Sequence, residues 1–260
     1  ATRVVVLEHA EDIRRFVAAS GAIFITGSRY CNVAPVAGCT VFSTSALDKF
    51  IDFDRVNGLL HCQAGLSLGE ILDVIHPAGY TLPVVNDHPD TTLGAAISTD
   101  ICGSNHVWAG SFSNHVLAVE LIDAEGNQWH CSREDHAEMF WNTMGGLGLT
   151  GIIVSAVIRL SYSESRVFKT SSKVLPELSA VFPLLQEQPV GSHASSWYNT
   201  RSGRAHWVSG VYAAPNSDPA VQKFWLQPNP KAPLLKSWLN RSIVPLLPEP
   251  WRHMLHRPHF

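Results

Sequence analysis

Between residues 82 and 160, three clusters of small residues alternate with short apolar runs: Gly94, Ala95 and Ala96, then 103–110 (G-S-N-H-V-W-A-G), then 145–151 (G-G-L-G-L-T-G). Small residues at this density let backbone N–H groups approach a bound molecule closely, because no bulky side chain intervenes. The ligand they imply is large, flat and phosphate-bearing, with loop amides as donors to the phosphates. Asp100, Cys102, His106 and His115 stand in and around the second cluster. Cys102 reads either as a packed small residue or as a group beside a reactive ring. His106 and His115 read either as hydrogen-bonded structural residues or as acid/base groups. Asp100, Cys102 and His106 match no standard metal spacing. Nor do His253, His256 and His259, where Pro258 prevents a continuing helix, so no metal is expected.

Gly146, Gly148 and Gly151 spell G-x-G-x-x-G, a dinucleotide fingerprint only after a strand and at the start of a helix. Here the order is reversed: residues 134–142 are rich in helix formers and 152–160 form a β-branched run. A nicotinamide-type reading therefore lacks its context. A serine nucleophile lacks its G-x-S-x-G elbow.

The elements that must position these clusters read as follows. Residues 4–7 form a short apolar strand, and 11–20 carry Ile13, Phe16 and Val17 at helical spacing, stopped by Gly21. A strand at 22–25 leads into T-G-S-R-Y-C-N at 26–32, where Arg29 fits either a phosphate contact or a surface charge. Strands at 41–44 and 59–64 precede a helix at 68–75, with Ser67 and Glu70 spaced as a capping box and Gly79 as its stop. Residues 116–123 and 128–131 flank A-E-G-N and predict a hairpin, after which Ser132 can cap a helix. After about residue 161 the composition changes. Residues 161–172 are polar and linker-like, 175–185 have helical spacing despite two prolines, and 195–198 and 205–212 read as strands joined through R-S-G-R. From Pro215 prolines are frequent, and a helix there would break at Pro245.

The 260 residues allow one large domain or two smaller ones, and 45% hydrophobic content suffices for a core. A net charge of −3 gives no sign of a nucleic-acid binder. No apolar run approaches the roughly 20 residues of a membrane-spanning helix, and Glu8, Glu11 and Asp12 come too early for a signal peptide. Five cysteines without a C-x-x-C pair argue against a disulfide framework and fit a reducing, cytoplasmic setting.

The order of these pieces, with Q-A-G-L-S-L-G-E-I-L at 63–72, T-L-G-A-A-I-S-T-D at 92–100, G-S-F-S-N-H-V at 110–116 and F-W-N-T-M-G-G-L-G-L-T-G at 140–151, resembles the FAD-linked oxidases of the vanillyl-alcohol oxidase / p-cresol methylhydroxylase (PCMH) type. Within them it is most like the decaprenylphosphoryl-ribose 2′-oxidase flavin subunits and related sugar or alcohol oxidases. The resemblance covers residues 4–160 and continues faintly through 195–205. It implies an α+β fold: a PCMH-type FAD-binding domain of two α+β subdomains over residues 1–161, then the start of a sheet-based substrate domain over 162–260.

Carried over by position, the resemblance implies that Gly27, Ser28, Arg29, Tyr30 and Asn32 form the first flavin loop. Asn86, Asp87 and His88 stand where the family has P-G-T beside the pyrophosphate. Thr92, Leu93, Gly94 and Ala95 continue that loop. Thr99, Asp100, Ile101 and Cys102 would face the isoalloxazine, and Ile153 the adenine–ribose end or the ring edge. Catalysis would fall to Cys102 and His106. Three departures stand out. Cys102 occupies a usual His position and Ser104 a usual Lys position. No His is placed to tether the flavin, so non-covalent FAD is expected. Asp87 would repel a pyrophosphate by an amount that depends on its exposure.

The function implied is hydride transfer to FAD from an alcohol or sugar-like, including lipid-linked, substrate. The alternatives are a degenerate or truncated flavin-fold binding protein, or one half of a split oxidase stabilised by a complementing chain. The expected partner is a small-molecule substrate. Peripheral membrane association is also open, and no nucleic acid is expected.

Overall fold

The computed structural model describes residues 3–19, 21–27, 38–163 and 168–213. Every described residue lies in one compact unit, Ala1–Ala214. In chain order the elements are β1 (Arg3–Val6), α1 (Ala10–Ala19), β2 (Ile23–Thr26), β3 (Thr40–Ser43), β4 (Phe50–Asp54), β5 (Leu59–Gln63) and α2 (Leu68–Ile75). Then come β6 (Tyr80–Thr81), α3 (Leu93–Ser98), α4 (His106–Ala109), β7 (Val116–Ile122), β8 (Gln128–Ser132), α5 (Ala137–Thr143) and β9 (Ile152–Arg159). Last are β10 (Ser161–Tyr162), β11 (Phe168–Leu175), α6 (Val181–Gln186), β12 (His193–Asn199) and β13 (Arg204–Tyr212).

The first sheet is parallel, in the order β1-β3-β2. Its strands are joined by longer connections, as parallel pairing demands, and α1 supplies one of them. Ile13 and Val17 of α1 are buried with Leu7, Phe42 and Leu47. The second sheet is antiparallel, in the order β4-β5-β9-β7-β8. Leu68, Ile71 and Ile75 of α2 and Leu93, Ala96 and Ile97 of α3 pack on one of its faces, over Leu60, Cys62, Val119 and Ala156. The third sheet, β11-β13-β12, is antiparallel and buries Ala205 and Trp207 under α6.

One irregularity couples the first two sheets. On β9, Ser155 pairs with Glu120 and Ile153 with Leu121, so Val154 is an extra residue. Such a bulge turns a strand locally. Ile152 and Val154 accordingly join the core under α1, whereas Ala156 and Ile158 join the core under α2 and α3.

Local signals were reliable where side chain and backbone agree. Ser67 Oγ accepts from Glu70 N while Glu70 Oε2 accepts from Ser67 N, completing the capping box of α2. The turn between β7 and β8 is built on Asp123, whose carboxylate accepts from the amides of Glu125 and Asn127. Three readings are corrected. Residues 161–172 are not a linker: Ser161 and Tyr162 pair with β6, and β11 begins at Phe168. The helix read at 175–185 starts later, as a 3-10 turn at Leu178–Ala180 that continues into Val181–Gln186, because Leu175 still belongs to β11 and Pro176 follows it. Ser132 Oγ accepts from the amides of Glu134 and Asp135, but α5 starts later, after His136 at φ 49. The readings beyond residue 213 lie outside the described residues. No helix among the described residues is long and apolar enough to cross a membrane.

A glycine on the connection out of β5 tests this packing. A Cβ at Gly65 would lie 2.0 Å from Thr44 O and 2.7 Å from Leu47 O, both backbone atoms. Gly65→Ala is expected to cost at least about 3 kcal/mol, the upper end of overpacking, against about 1 kcal/mol for loss of the cap in Ser67→Ala. Thermal melts should rank the two in that order. A Gly65→Ala protein as stable as wild type would contradict the close approach.

Candidate functional site

A cleft of about 510 Å³ opens where the first and second sheets meet, a size typical of small-molecule and cofactor pockets. The carboxyl ends of the parallel strands β2 and β3 reach it through Thr26, Gly27 and Thr44. Ligand sites commonly lie off that end of parallel strands. The other walls come from α3, from the loop 86–91 and from the glycine-rich loop 145–151.

The local chain explains each wall. Thr92 is the N-cap of α3, its Oγ1 accepting from Ala95 N at 3.3 Å. Leu93 N donates to Leu66 O and Gly94 N to Ala64 O, both at 2.8 Å, splicing the start of α3 onto the chain just beyond β5. A Cβ at Gly27 would lie 2.1 Å from Thr92 Oγ1, and one at Gly94 would lie 3.1 Å from Ala64 Cβ. The 145–151 loop is tied to the end of α3 by Gly145 N to Ile97 O at 3.0 Å and Leu147 N to Ser98 O at 2.8 Å. In the 86–91 loop, Asn86 Nδ2 donates to Thr91 Oγ1 at 2.9 Å, His88 N donates to Asn86 Oδ1, and Thr91 N donates to His88 O.

These bonds correct one expectation. The amides of Leu93, Gly94, Ala95, Gly145 and Leu147 are already satisfied within the protein. Gly94 and Gly145 therefore serve backbone-to-backbone packing. The polar side chains of the lining are Thr26, Thr44, Asn86, His88, Thr91, Ser98 and Thr99.

Gly27, His88, Gly94, Ala95, Thr99, Ile101 and Ile153 of the expected cofactor residues line the cleft. Thr92 and Leu93 are buried in its frame and do not line it. Asp87, between the lining residues Asn86 and His88, is exposed and lies outside the lining. Asp100, at φ 44, turns its carboxylate onto Ser113 N and Ser113 Oγ, at 2.8 and 3.1 Å. Cys102 is exposed and forms an isolated bridge with Ser111, and His106 is exposed at the start of α4. Neither lines the cleft. Ser28, Arg29, Tyr30 and Asn32 lie outside the described residues.

The second small-residue cluster thus does not join the other two. It runs to the third sheet instead, where Ser104 Oγ lies 2.9 Å from His193 Nδ1 and Ala194 N donates to Ser104 O at 2.8 Å. Sequence reading missed Phe24, Ile25, Thr26, Thr44, Thr91, Ser98 and Leu147 in the lining. For Thr26 and Thr44 a signal existed, since one ends β2 and the other directly follows β3.

The donor set suits a nucleotide cofactor. No carboxylate stands among the described lining residues, hydroxyl and amide groups form the rim, and Phe24, Ile25, Ile101, Leu147 and Ile153 offer apolar walls for a flat ring. Among the described residues no group of His, Cys, Asp and Glu could hold a metal ion. Burial pushes the Cys62 thiol up to about 12, and burial and then Asp135 raise that of Cys131. Burial holds the His115 imidazole below its ordinary value despite the bond to Ala109 O, with Arg133 and Arg159 adding to the effect. Burial alone lowers His193, whose ring packs edge-on against Phe168 and Tyr212.

Comparison with known proteins agrees with this donor set. The family described as FAD binding domain matches residues 1–132. Decaprenylphosphoryl-beta-D-ribose oxidase of Mycolicibacterium smegmatis is 33% identical over 196 residues, covering 74% of this chain and 42% of that protein. Delta(24)-sterol reductase of Rattus norvegicus is 29% identical over 115 residues, covering 44% of this chain and 22% of the relative. A probable mitochondrial D-2-hydroxyglutarate dehydrogenase of Oryza sativa subsp. indica is 32% identical over 93 residues, 35% of this chain and 17% of the relative. The chain spans less than half the length of these relatives.

Two outcomes follow. Iodoacetamide on the native protein should label Cys102 and spare Cys62 and Cys131, read by peptide mass mapping; labelling of folded Cys62 at the same rate would contradict its burial. His115 and His193 have folded values below the ordinary 6.5, so below pH 6.5 the unfolded chain binds protons that the folded chain does not. Thermal stability is therefore expected to fall as pH drops below 6.5, and to fall less steeply in His115→Gln. Equal slopes in both proteins would remove His115 from that account.

Proposed function

We propose a flavin-dependent alcohol oxidation for this chain, which belongs to the FAD binding domain family of oxidoreductases and takes FAD as its cofactor. The observation that carries the reading is the cleft at the junction of the first two sheets, apolar on its walls, hydroxyl-rich on its rim and free of described carboxylates. The substrate class is an alcohol or sugar-like polyol, lipid-linked forms included. Similarity to a decaprenylphosphoryl-beta-D-ribose oxidase over 74% of the chain supports it.

FAD, when bound without a covalent tether, supplies the acceptor for the hydride that leaves the alcohol carbon. The rest falls to the protein. Thr26 and Thr44 at the strand ends, with Asn86, His88 and Thr91, provide polar groups for the phosphates and sugar hydroxyls. Phe24, Ile25, Ile101 and Ile153 exclude water from the ring, which strengthens every polar contact made there. Residues 1–161 form the FAD-binding domain in this reading, with two α+β parts around the first and second sheets. The third sheet begins the substrate domain of 162–260. Cys102 follows the cleft residue Ile101 directly, and with His106 stands on the loop that Ser104 ties to His193. These two are assigned to the substrate side.

A non-catalytic flavin-binding role is the second reading, favoured by the placement of Cys102 and His106 outside the cleft lining. Purified protein should be yellow and release free flavin on denaturation. Anaerobic addition of polyol or sugar alcohols should bleach the flavin band in wild type, and more slowly in Cys102→Ser and His106→Ala. A yellow protein that no such substrate bleaches supports the second reading. A colourless protein that gains no thermal stability from FAD defeats both.

A further inference from the structure

Leu147 combines two unfavourable features. Leu149 N donates to Gly146 O at 2.9 Å, closing a four-residue turn in the 145–151 loop. Its central pair, Leu147 and Gly148, have φ of 53 and 79. Positive φ at both central positions is the demand of a type I′ turn, where Asn, Asp or Gly ordinarily fills the first place. A bulky residue in this left-handed region is a genuine outlier. The same residue is 72% exposed while lining the cleft.

The surroundings hold Leu147 in place. Its amide donates to Ser98 O, and Gly145 N donates to Ile97 O, so the turn is anchored to the last residues of α3. Gly145 and Gly148 meet the same backbone demand with no side chain. Leu149, the neighbouring leucine, is 90% exposed but is not a positive-φ residue and lies outside the lining. Packing within the described protein does not account for a leucine at position 147. Strained residues that their surroundings hold in place mark functional sites.

We infer that Leu147 is a cofactor-contacting residue, its side chain closing over a planar aromatic face of FAD at the mouth of the cleft. This rests on the FAD reading above. Burial of the side chain against the ring offsets both its exposure and its backbone conformation, so a position costly to the empty protein is retained for binding.

Two variants separate the backbone effect from the contact. Leu147→Asn gives the turn its favoured Asn-Gly pair and deletes the apolar contact. Leu147→Met keeps an apolar side chain of similar reach on the same backbone. Flavin is stripped from each protein and titrated back, with binding read by quenching of FAD fluorescence and stability by thermal melts without cofactor. Leu147→Asn should melt about 2–4 °C higher without FAD and bind FAD about tenfold more weakly, while Leu147→Met stays within about twofold of wild type. A Leu147→Asn protein with wild-type FAD affinity would overturn the inference. A wild type that takes up no FAD would instead overturn the cofactor reading beneath it, which distinguishes the two failures.

Discussion

The site depends on how closely backbones approach where the first and second sheets meet. Gly27 touches the side chain of Thr92, Gly65 the carbonyls of Thr44 and Leu47, Gly94 the chain at Ala64, and Gly151 the carbonyl of Ile122. At each of these points a methyl group would press on its neighbour, at a separation between 2.0 and 3.1 Å. Backbone contact is what permits α3 to begin at the end of β5 and the 145–151 loop to fold against the end of α3. The cleft is the space left beside this junction. It is empty of side chains because the chain segments around it meet through glycine rather than across interlocking side chains.

This arrangement changes what the small residues mean for binding. The amides of Leu93, Gly94, Ala95, Gly145 and Leu147 are used inside the protein and stabilise the walls. Hydroxyl and amide side chains from strand ends and the 86–91 loop are polar groups of the lining, and isoleucine and phenylalanine side chains form part of its apolar surface. Asp87, which would oppose a pyrophosphate, is exposed and lies outside the lining. The second small-residue cluster has a different task. Through Ser104 it meets His193, where Phe168 and Tyr212 pack around the imidazole, and so it joins the second and third sheets.

Much of the fold was legible because local chemistry and tertiary structure agree. The capping box of α2, the Asp123 turn between β7 and β8, and the β-branched run of β9 are each determined within a few residues. Pairing of residues 161–162 with β6 was not legible, since a polar dipeptide at a sheet edge carries no hydrophobic pattern. The start of the helical segment before α6 was read too early for the same kind of reason: apolar spacing reached back to Leu175, the last residue of β11. At the site, glycine spacing pointed to the right region but not to which amides are used inside the protein. Whether an amide faces a ligand or another carbonyl depends on contacts such as Gly94 with Ala64, which are thirty residues apart in the chain.

Hydrogen–deuterium exchange with and without FAD tests the central claim most directly. If the cofactor lies in the cleft between the first two sheets, adding FAD should slow exchange across residues 86–101 and 145–153 and leave 104–110 nearly unchanged. Protection confined to 104–110, or none in the segments that wall the cleft, would contradict this account of the site.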